Sequence, residues 1–594
     1  MIVRPMRYLR MLTNALAGGV LLAFYVAILI FQLNPGVPIP SMTAARWVGA
    51  VVAFYEPYLA VFLLFLILAW DLVAPRPVRP AWVSVKLLAW FGAVGGALAA
   101  ALTWVNLAVF ATVLSDAAFE RMRDGAWATT VMATVLVVIA LLRYSFARQG
   151  NRSVAALLLV SMATSVVVPL WLRGPGETVV RLPARSPDER RFDIHAAMPI
   201  GMLGPRIHIL ALDGASLGFV RQRVAAGGLP NFGRLLDRGA TVDLTTLRPT
   251  EAEPVWAAAA TGKSPQKNGV RSSGSYRVSD GDRDLVDVLP DFCFAEALVD
   301  QGFVDALDLT STALLARPMW DILADYGVPS GVADWPVTYP ARASRGYVLS
   351  DRFDEAASSP LRLADARAGD PTTAVDVARE MFDRWLAAPW RDIMPVSSRA
   401  APEPAGIASA RWDRAYSDTS KELEQQFAPR LTAVRYEGLD VLGRNYLRDA
   451  QPELFGDFRR IDSRRSVLDQ YYEFIDGEVG RAIARLLPDD LLLVVSSFGL
   501  EPTPLQTRLI ARLLGRSDLT GTHQPAPDGF LLAYGSDVAT GHFPRGEVVD
   551  LAPTVLYYMG VDIGRDMDGL ARTDLFVSTY VLEHPVKFIA THER

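Results

Sequence analysis

IHILALDGASLGFVRQRVAAGGLPNFGRLLDRGATVDLTTLRPTEAEPVWAAAATGKSPQKNGVR, residues 207–271, is the stretch that decides how this chain folds. Its apolar run, 207–212, ends in Asp213-Gly214 and reads as a buried strand that hands a carboxylate to a loop. An amphipathic helical pattern follows through Leu229-Pro230 and Leu235-Leu236. A polar turn, Pro249-Thr250-Glu251-Ala252-Glu253-Pro254, precedes a second helix that closes at Thr261-Gly262. Downstream, strand-like runs at 331–333, 431–435 and 491–495 alternate with helical patterns. Such alternation predicts a largely parallel sheet with helices on both faces. Ligands in such sheets bind beyond the carboxyl ends of strands, where Asp213, Asp440 and Ser497 fall.

Upstream the chain is of another kind. Apolar stretches at 12–33, 47–70, 87–114, 126–142 and 154–172 approach or exceed the roughly 20 residues needed to cross a bilayer. The first is too long for a signal-peptide core, lacks a small-residue cleavage site and is followed by four more. Arg4, Arg7, Arg10, Arg76, Arg79, Lys86, Arg143, Arg148 and Arg152 occupy one set of loops, against Arg46, Arg121 and Arg123 in the other. The positive-inside rule then puts the N-terminus in the cytoplasm and, after five crossings, the rest of the chain in the periplasm or outside the cell. The expected location is a multi-pass protein of the cytoplasmic (inner) membrane. Glu56-Pro57 interrupts the second stretch. An intramembrane carboxylate is a functional candidate, set here against a proline-kinked helix with Glu56 near the outer interface. Asn106 in the third stretch reads as a helix–helix hydrogen bond.

The whole chain is 594 residues, 51% apolar and 21% charged, with a mean hydropathy of +0.21. That is too apolar for an ordinary soluble protein. A net charge of −5 gives no support for nucleic-acid binding. One cysteine, Cys293, excludes an intrachain disulfide and a cysteine-rich zinc site. The expected organisation is a five-helix transmembrane domain at 1–175, a linker or neck at 176–205, and an α/β domain at 206–580 with a tail at 581–594. The Ala/Pro/Ser/Arg-rich stretch 354–429 suggests an insertion or cap within that domain.

The order of LDG, LPNFGRLLDRGA, the PT…P-x-W turn and TG-x-x-P…G-V resembles the alkaline phosphatase superfamily, most closely its type I phosphodiesterase/nucleotide pyrophosphatase branch. PMWDILADYG and WPVTYPAR at 318–342, and DLAPTVLYYMGVDIGRDMDGLARTDL at 550–575, extend the resemblance over about 206–575. It implies an alkaline phosphatase-like sheet. It also implies two zinc ions that clamp a phosphate, and a Thr or Ser nucleophile activated beside one of them.

Carried over position by position, the implied site is incomplete. Asp213 stands where the first ligand is expected. The nucleophile position is Ala252, which has no hydroxyl; Thr250, two residues earlier, is the fallback. The expected Asp-x-x-x-His is Asp440 followed by Arg444, and arginine cannot coordinate a metal. The expected Asp-His pair is Ser497-Phe498, while His523 of the G-T-H turn remains. Asn268 replaces the histidine that usually follows T-G-x-x-P. One metal position thus keeps Asp440 and His523 and the other keeps Asp213 alone. Arg444 is expected to replace the metals with a fixed charge beside Asp213 and Asp440, and Phe498 to fill the vacated volume. The bland reading keeps Asp213, Asp440 and His523 as structural hydrogen-bonding groups. Trp256 and Asp568-Gly569 read as packing features.

The expectation is a catalytically inactive membrane protein without a cofactor, acting as a scaffold or assembly subunit with membrane lipids and protein partners. The alternative is a two-zinc phosphodiesterase or phospho-group transferase acting on envelope lipids or glycans. A transporter built on Glu56 is a third reading, with one residue behind it.

Overall fold

The computed structural model describes residues 3–34, 37–74, 80–111, 114, 116–146, 152–173, 204–278, 295–358, 367–394, 403–456, 466–505, 507–508, 519–523 and 527–593. Most of the expected neck at 176–205, and Cys293, lie outside them. The chain divides into two compact units, Met1–Arg181 with Arg271–Asp308, and Leu182–Val270 with Leu309–Arg594.

In the first unit the five apolar stretches are five helices: α1 (Val3–Leu33), α2 (Met42–Val73), α3 (Val85–Val109), α4 (Asp116–Phe146) and α5 (Arg152–Arg173). All five are long and apolar enough to cross a membrane. Helix α1 packs against each of the other four. Small residues permit the close crossings, as at Gly19, where an added Cβ would sit 2.9 Å from the Glu56 carbonyl of α2. Polar bonds tie the bundle at its ends and within it. Arg7 pairs with Asp71, and the Tyr25 and Ser165 hydroxyls are 2.6 Å apart. Helix α2 continues through Pro57, and Glu56 is half-buried.

The same unit contains a hairpin drawn from the middle of the chain. In the second unit β1 (Ile207–Leu212) and β2 (Ala240–Thr245) precede it. The hairpin itself is β3 (Gly274–Val278) and β4 (Val304–Asp308), paired antiparallel. Its Val278 and Val304, with Leu298, are buried in one cluster with Phe31, Val37, Trp47 and Phe54 of α1, α2 and their connection. Phe303 meets Phe54 edge to face at 5.9 Å, and Gln301 donates to the Tyr58 hydroxyl at 3.0 Å.

The second unit is an α/β domain. Its further strands are β5 (Ser330–Trp335), β6 (Gly346–Ser350), β7 (Gly369–Asp370), β8 (Leu431–Tyr436), β9 (Leu491–Phe498), β10 (Glu501–Pro502), β11 (Gly521–Thr522), β12 (Asp528–Gly535) and β13 (Gly541–Glu547). Nine strands form one sheet in the order β13-β2-β12-β9-β1-β8-β5-β6-β7. Strands β9, β1, β8, β5 and β6 run parallel, while β12 and β7 are reversed. The four expected strand runs lie inside β1, β5, β8 and β9. Every residue of β5, β8 and β9 is buried, as expected for strands covered on both faces. One apolar cluster covers each face of the sheet.

Composition suggested a cap at 354–429. Its described part contributes two long helices, Thr372–Ala387 and Ile407–Phe427, and the short Trp390–Ile393 to the core on one sheet face. Tyr416 there donates to the Ser350 carbonyl at 2.8 Å, and Ser417 meets the Tyr436 hydroxyl at 3.1 Å. These residues are hydrogen-bonded to β6 and β8, so the described part of the stretch packs as a layer on the sheet. The end of the chain is also fixed: Phe588–Ile589 pairs parallel with Ile563–Gly564, and Glu593 reaches Lys263 at 2.7 Å.

Candidate functional site

Three elements bring the retained carboxylates together. Strand β1 ends at Leu212, and the next residue, Asp213, donates its backbone N–H to the Tyr436 carbonyl of β8 at 3.0 Å. Gly214 turns the chain with φ +74°. A Cβ on Gly214 would lie 2.8 Å from the Cα of Asp440, so glycine is what allows the two loops to meet. Asp440 lies in the first turn of the helix Gly438–Ala450. That helix is held at its start by Asp413, which accepts the N–H groups of Glu437 at 3.2 Å and Gly438 at 2.9 Å.

Asp213 is 1% exposed and fully engaged. Arg435, from inside β8, donates to its Oδ2 through Nε at 2.9 Å and Nη2 at 2.6 Å. The indole N–H of Trp256, on helix α8 (Ala252–Thr261) once α6 (Leu217–Ala225) and α7 (Pro230–Arg238) are counted, donates to Oδ1. Arg435 is itself buried, at 7% exposure, and also faces Asp334 at 3.6 Å and Glu437 at 3.5 Å. Burial opposes charge on Arg435, but these three carboxylates outweigh it and hold the guanidinium protonated. Burial pushes the Asp213 carboxyl up, and the Arg435 charge pulls it the other way.

Asp440 has a separate pair of partners. Arg444, one turn along the helix, binds its Oδ2 at 2.5 Å, and His523 Nδ1 lies 3.2 Å from its Oδ1. Burial alone would raise the Asp440 carboxyl; the His523 hydrogen bond and the Arg444 charge hold it below the ordinary range. Arg444 therefore pairs with Asp440, and the Asp213 half of the role expected of it is taken by Arg435. Phe498 is 1% exposed and its ring lies 5.4 Å from that of His523.

The remaining candidates serve the local scaffold. Ala252 opens α8 with a methyl group at the expected nucleophile position. The Thr250 hydroxyl turns back to the Leu247 carbonyl at 2.9 Å. Asn268 is buried and closes its own loop, donating to the Lys263 carbonyl at 2.9 Å and accepting from Val270 N at 2.8 Å. Ser497 is fully buried, and its hydroxyl has no partner among the described residues. Trp256 is more than packing, since it holds Asp213. Asp568 accepts from Ser264 N at 2.8 Å and pairs with Lys267, tying its loop to the one after α8.

Carboxylates gather behind the pair. Glu253 is pushed up to about 7 by burial. Asp334 (φ +57°), at the register shift near the end of β5, and Val337 (φ +62°), in the turn after it, hold a left-handed backbone, a conformation that costs energy for a β-branched side chain such as Val337. Asp351 supports that turn, accepting Val337 N at 2.9 Å.

This is the geometry of an alkaline phosphatase-like α/β domain, with its carboxylates at the carboxyl ends of β1 and β8. Residues 208–539 match the type I phosphodiesterase / nucleotide pyrophosphatase family, and the chain belongs to that family. No curated protein matches the chain. Among solved structures, murine ectonucleotide pyrophosphatase / phosphodiesterase 5 is similar at 12% identity, covering 63% of this chain and 100% of its own, with a TM-score of 0.36. The human protein of that name has the same identity and coverage, with a TM-score of 0.37.

The family implies zinc, and the donors can be tested for fit. Asp213 already accepts three hydrogen bonds, two from the Arg435 guanidinium on Oδ2 and one from the Trp256 indole on Oδ1, a cation stands against it where a metal would need to be, and a guanidinium has no lone pair to offer. Among the described residues no three His, Cys, Asp or Glu side chains are grouped to hold a metal ion. The residues present do not fit a two-zinc centre.

Proposed function

We propose that the α/β domain is catalytically silent and acts as a binding or scaffold unit held at the membrane by the five helices. The observation that carries this reading is the capping of Asp213 by Arg435 and Trp256. With Ala252 at the nucleophile position, neither an activated hydroxyl nor a phosphate clamp has a source in this cluster. Basic residues concentrated in alternate loops support an orientation with the N-terminus in the cytoplasm and the domain outside it, bound to envelope lipid, glycan or protein partners.

Family membership favours a second reading, a metal-dependent phosphodiesterase or phospho-group transferase. One experiment separates the two. The full-length protein is purified without chelators, its zinc is measured by mass spectrometry, and bis(p-nitrophenyl) phosphate is offered with added Zn²⁺, Mg²⁺ or Mn²⁺. The silent reading expects far less than one zinc per chain and no turnover above buffer. About two zinc ions per chain together with hydrolysis would sink it.

A further inference from the structure

Successive helices of the bundle are joined by short connections and alternate in direction. One end therefore carries the α1–α2 and α3–α4 connections and the end of α5. Gln32 of α1 bridges two helices there. Its Nε2 donates to the Pro169 carbonyl of α5 at 3.0 Å. Its Oε1 fills the space beside Gly125 of α4, 1.9 Å from where a Cβ would be. Four residues nearer the same end, on the same two helix faces, stand Arg173 of α5 and Arg121 of α4.

Arg173 is 1% exposed. Its Nη2 donates to the carbonyls of Asn34 at 2.9 Å and Val37 at 2.7 Å. Its Nε and Nη1 are buried and have no acceptor among the described residues. Arg121 is half-buried, and its Nη1 is likewise buried without an acceptor. The two cations are within electrostatic reach of each other. Glu120, the acidic neighbour of Arg121 in sequence, pairs with Arg123 at 3.6 Å instead. Among the described residues, neither Arg121 nor Arg173 has a carboxylate partner. Asn106 of α3, at the same end, also has a buried Nδ2 without a partner among the described residues.

A guanidinium buried at the end of an apolar bundle beside a second, half-buried one, with no carboxylate partner for either among the described residues, is strongly unfavourable unless an anion joins them. Their unmet N–H groups lie on planar forks, which match the oxygens of a phosphoryl group. Helix ends are also where bilayer phosphates lie. We propose that this end of the bundle binds a phosphoryl anion between Arg173 and Arg121, entering past the partly exposed Arg121. The chemistry is shared by a lipid headgroup phosphate and by free phosphate. The inference is independent of whether the α/β domain is catalytic.

The test uses the full-length protein in detergent, with fluorescent phosphatidic acid as probe and diacylglycerol bearing the same label as control. Saturable binding of the phosphatidic acid alone is expected. Arg173→Gln should weaken it about tenfold and Arg121→Gln by a smaller factor, with Arg173→Lys in between because it keeps charge but loses the fork. Displacement by millimolar inorganic phosphate would identify free phosphate as the source; persistence of the probe would identify the lipid. Equal binding of the two labelled lipids overturns the proposal. So does wild-type binding by a folded Arg173→Gln, with folding followed by circular dichroism. If Arg173→Gln does not fold, Arg121→Gln decides: unchanged binding overturns the proposal and weakened binding upholds it.

Discussion

Arg435 is the residue on which the α/β site turns. Its single positive charge faces Asp213, Asp334 and Glu437 from within a fully buried strand. Arg435→Met is expected to cost about 3–5 kcal/mol in denaturant unfolding, because it leaves buried carboxylates without a counter-charge. Arg444→Met removes a cation whose side chain is 37% exposed and should cost about 1 kcal/mol or less. Equal costs would mean that the two arginines share Asp213 after all. Ala252→Thr restores a hydroxyl at the start of α8 and should still give no phosphodiester hydrolysis, since Asp213 stays capped. The motif positions that depart from the family pattern stand at fixed spacings, so the sequence alone could single them out as candidates. Arg435 was not singled out, since it belongs to no motif. Its signal was a charge inside the apolar run 431–435, and the meaning of that charge depends on which strand lies alongside it.

Among the elements, the helix Gly438–Ala450 shows how the fold sets the site. Its start is pinned by a carboxylate from another helix. Burial pushes Asp413 up to about 7, against the pull of the Tyr471 hydroxyl, with the Glu437 charge adding to the rise. The unfolded chain releases this proton near pH 4. Between about pH 4 and 7 the folded state therefore binds a proton that the unfolded state has lost, and this group's contribution to stability falls as pH rises through that window. Melting temperatures measured across it should fall less steeply in Asp413→Asn than in the wild type. Gly214→Ala tests the other contact of the same helix. It should destabilise by more than about 1 kcal/mol, because φ is +74° and the new Cβ meets the backbone of Asp440. Four of the sheet's nine strands, β1, β5, β8 and β9, were readable from their apolar runs; the other five were not singled out. The stretch 354–429 suggested an insertion or cap because its Ala/Pro/Ser/Arg composition hides amphipathic faces that appear only where Thr372–Ala387 packs against β6 and β7 and Ile407–Phe427 against β5 and β8.

Taken whole, the molecule is two units that are not two halves of the sequence. The hairpin β3–β4 groups with α1 and α2 and not with the α/β domain, and its Val278, Leu298 and Val304 are buried with them. Nothing in its own residues announces that destination, since a hairpin's apolar side is the same whichever partner covers it. A fragment of residues 206–594 should expose Val278, Leu298, Phe303 and Val304, and run as aggregates in gel filtration. Replacing 271–308 by a short Gly/Ser linker should give a single dispersed species, because Val270 and Leu309 already share one apolar cluster. A monodisperse unmodified fragment would show that the hairpin needs no cover.

The hairpin also gives the protein a clock. Residue 308 is made 135 residues after α5 ends at Arg173 (308 minus 173). At 5–20 residues per second that is roughly 7 to 27 s of translation. Throughout this interval the surface formed by Phe31, Trp47 and Phe54 has been synthesised but its cover has not. The newborn bundle must spend that time shielded by lipid, by a chaperone or by another chain, and a ribosome stalled before residue 308 would leave that surface uncovered.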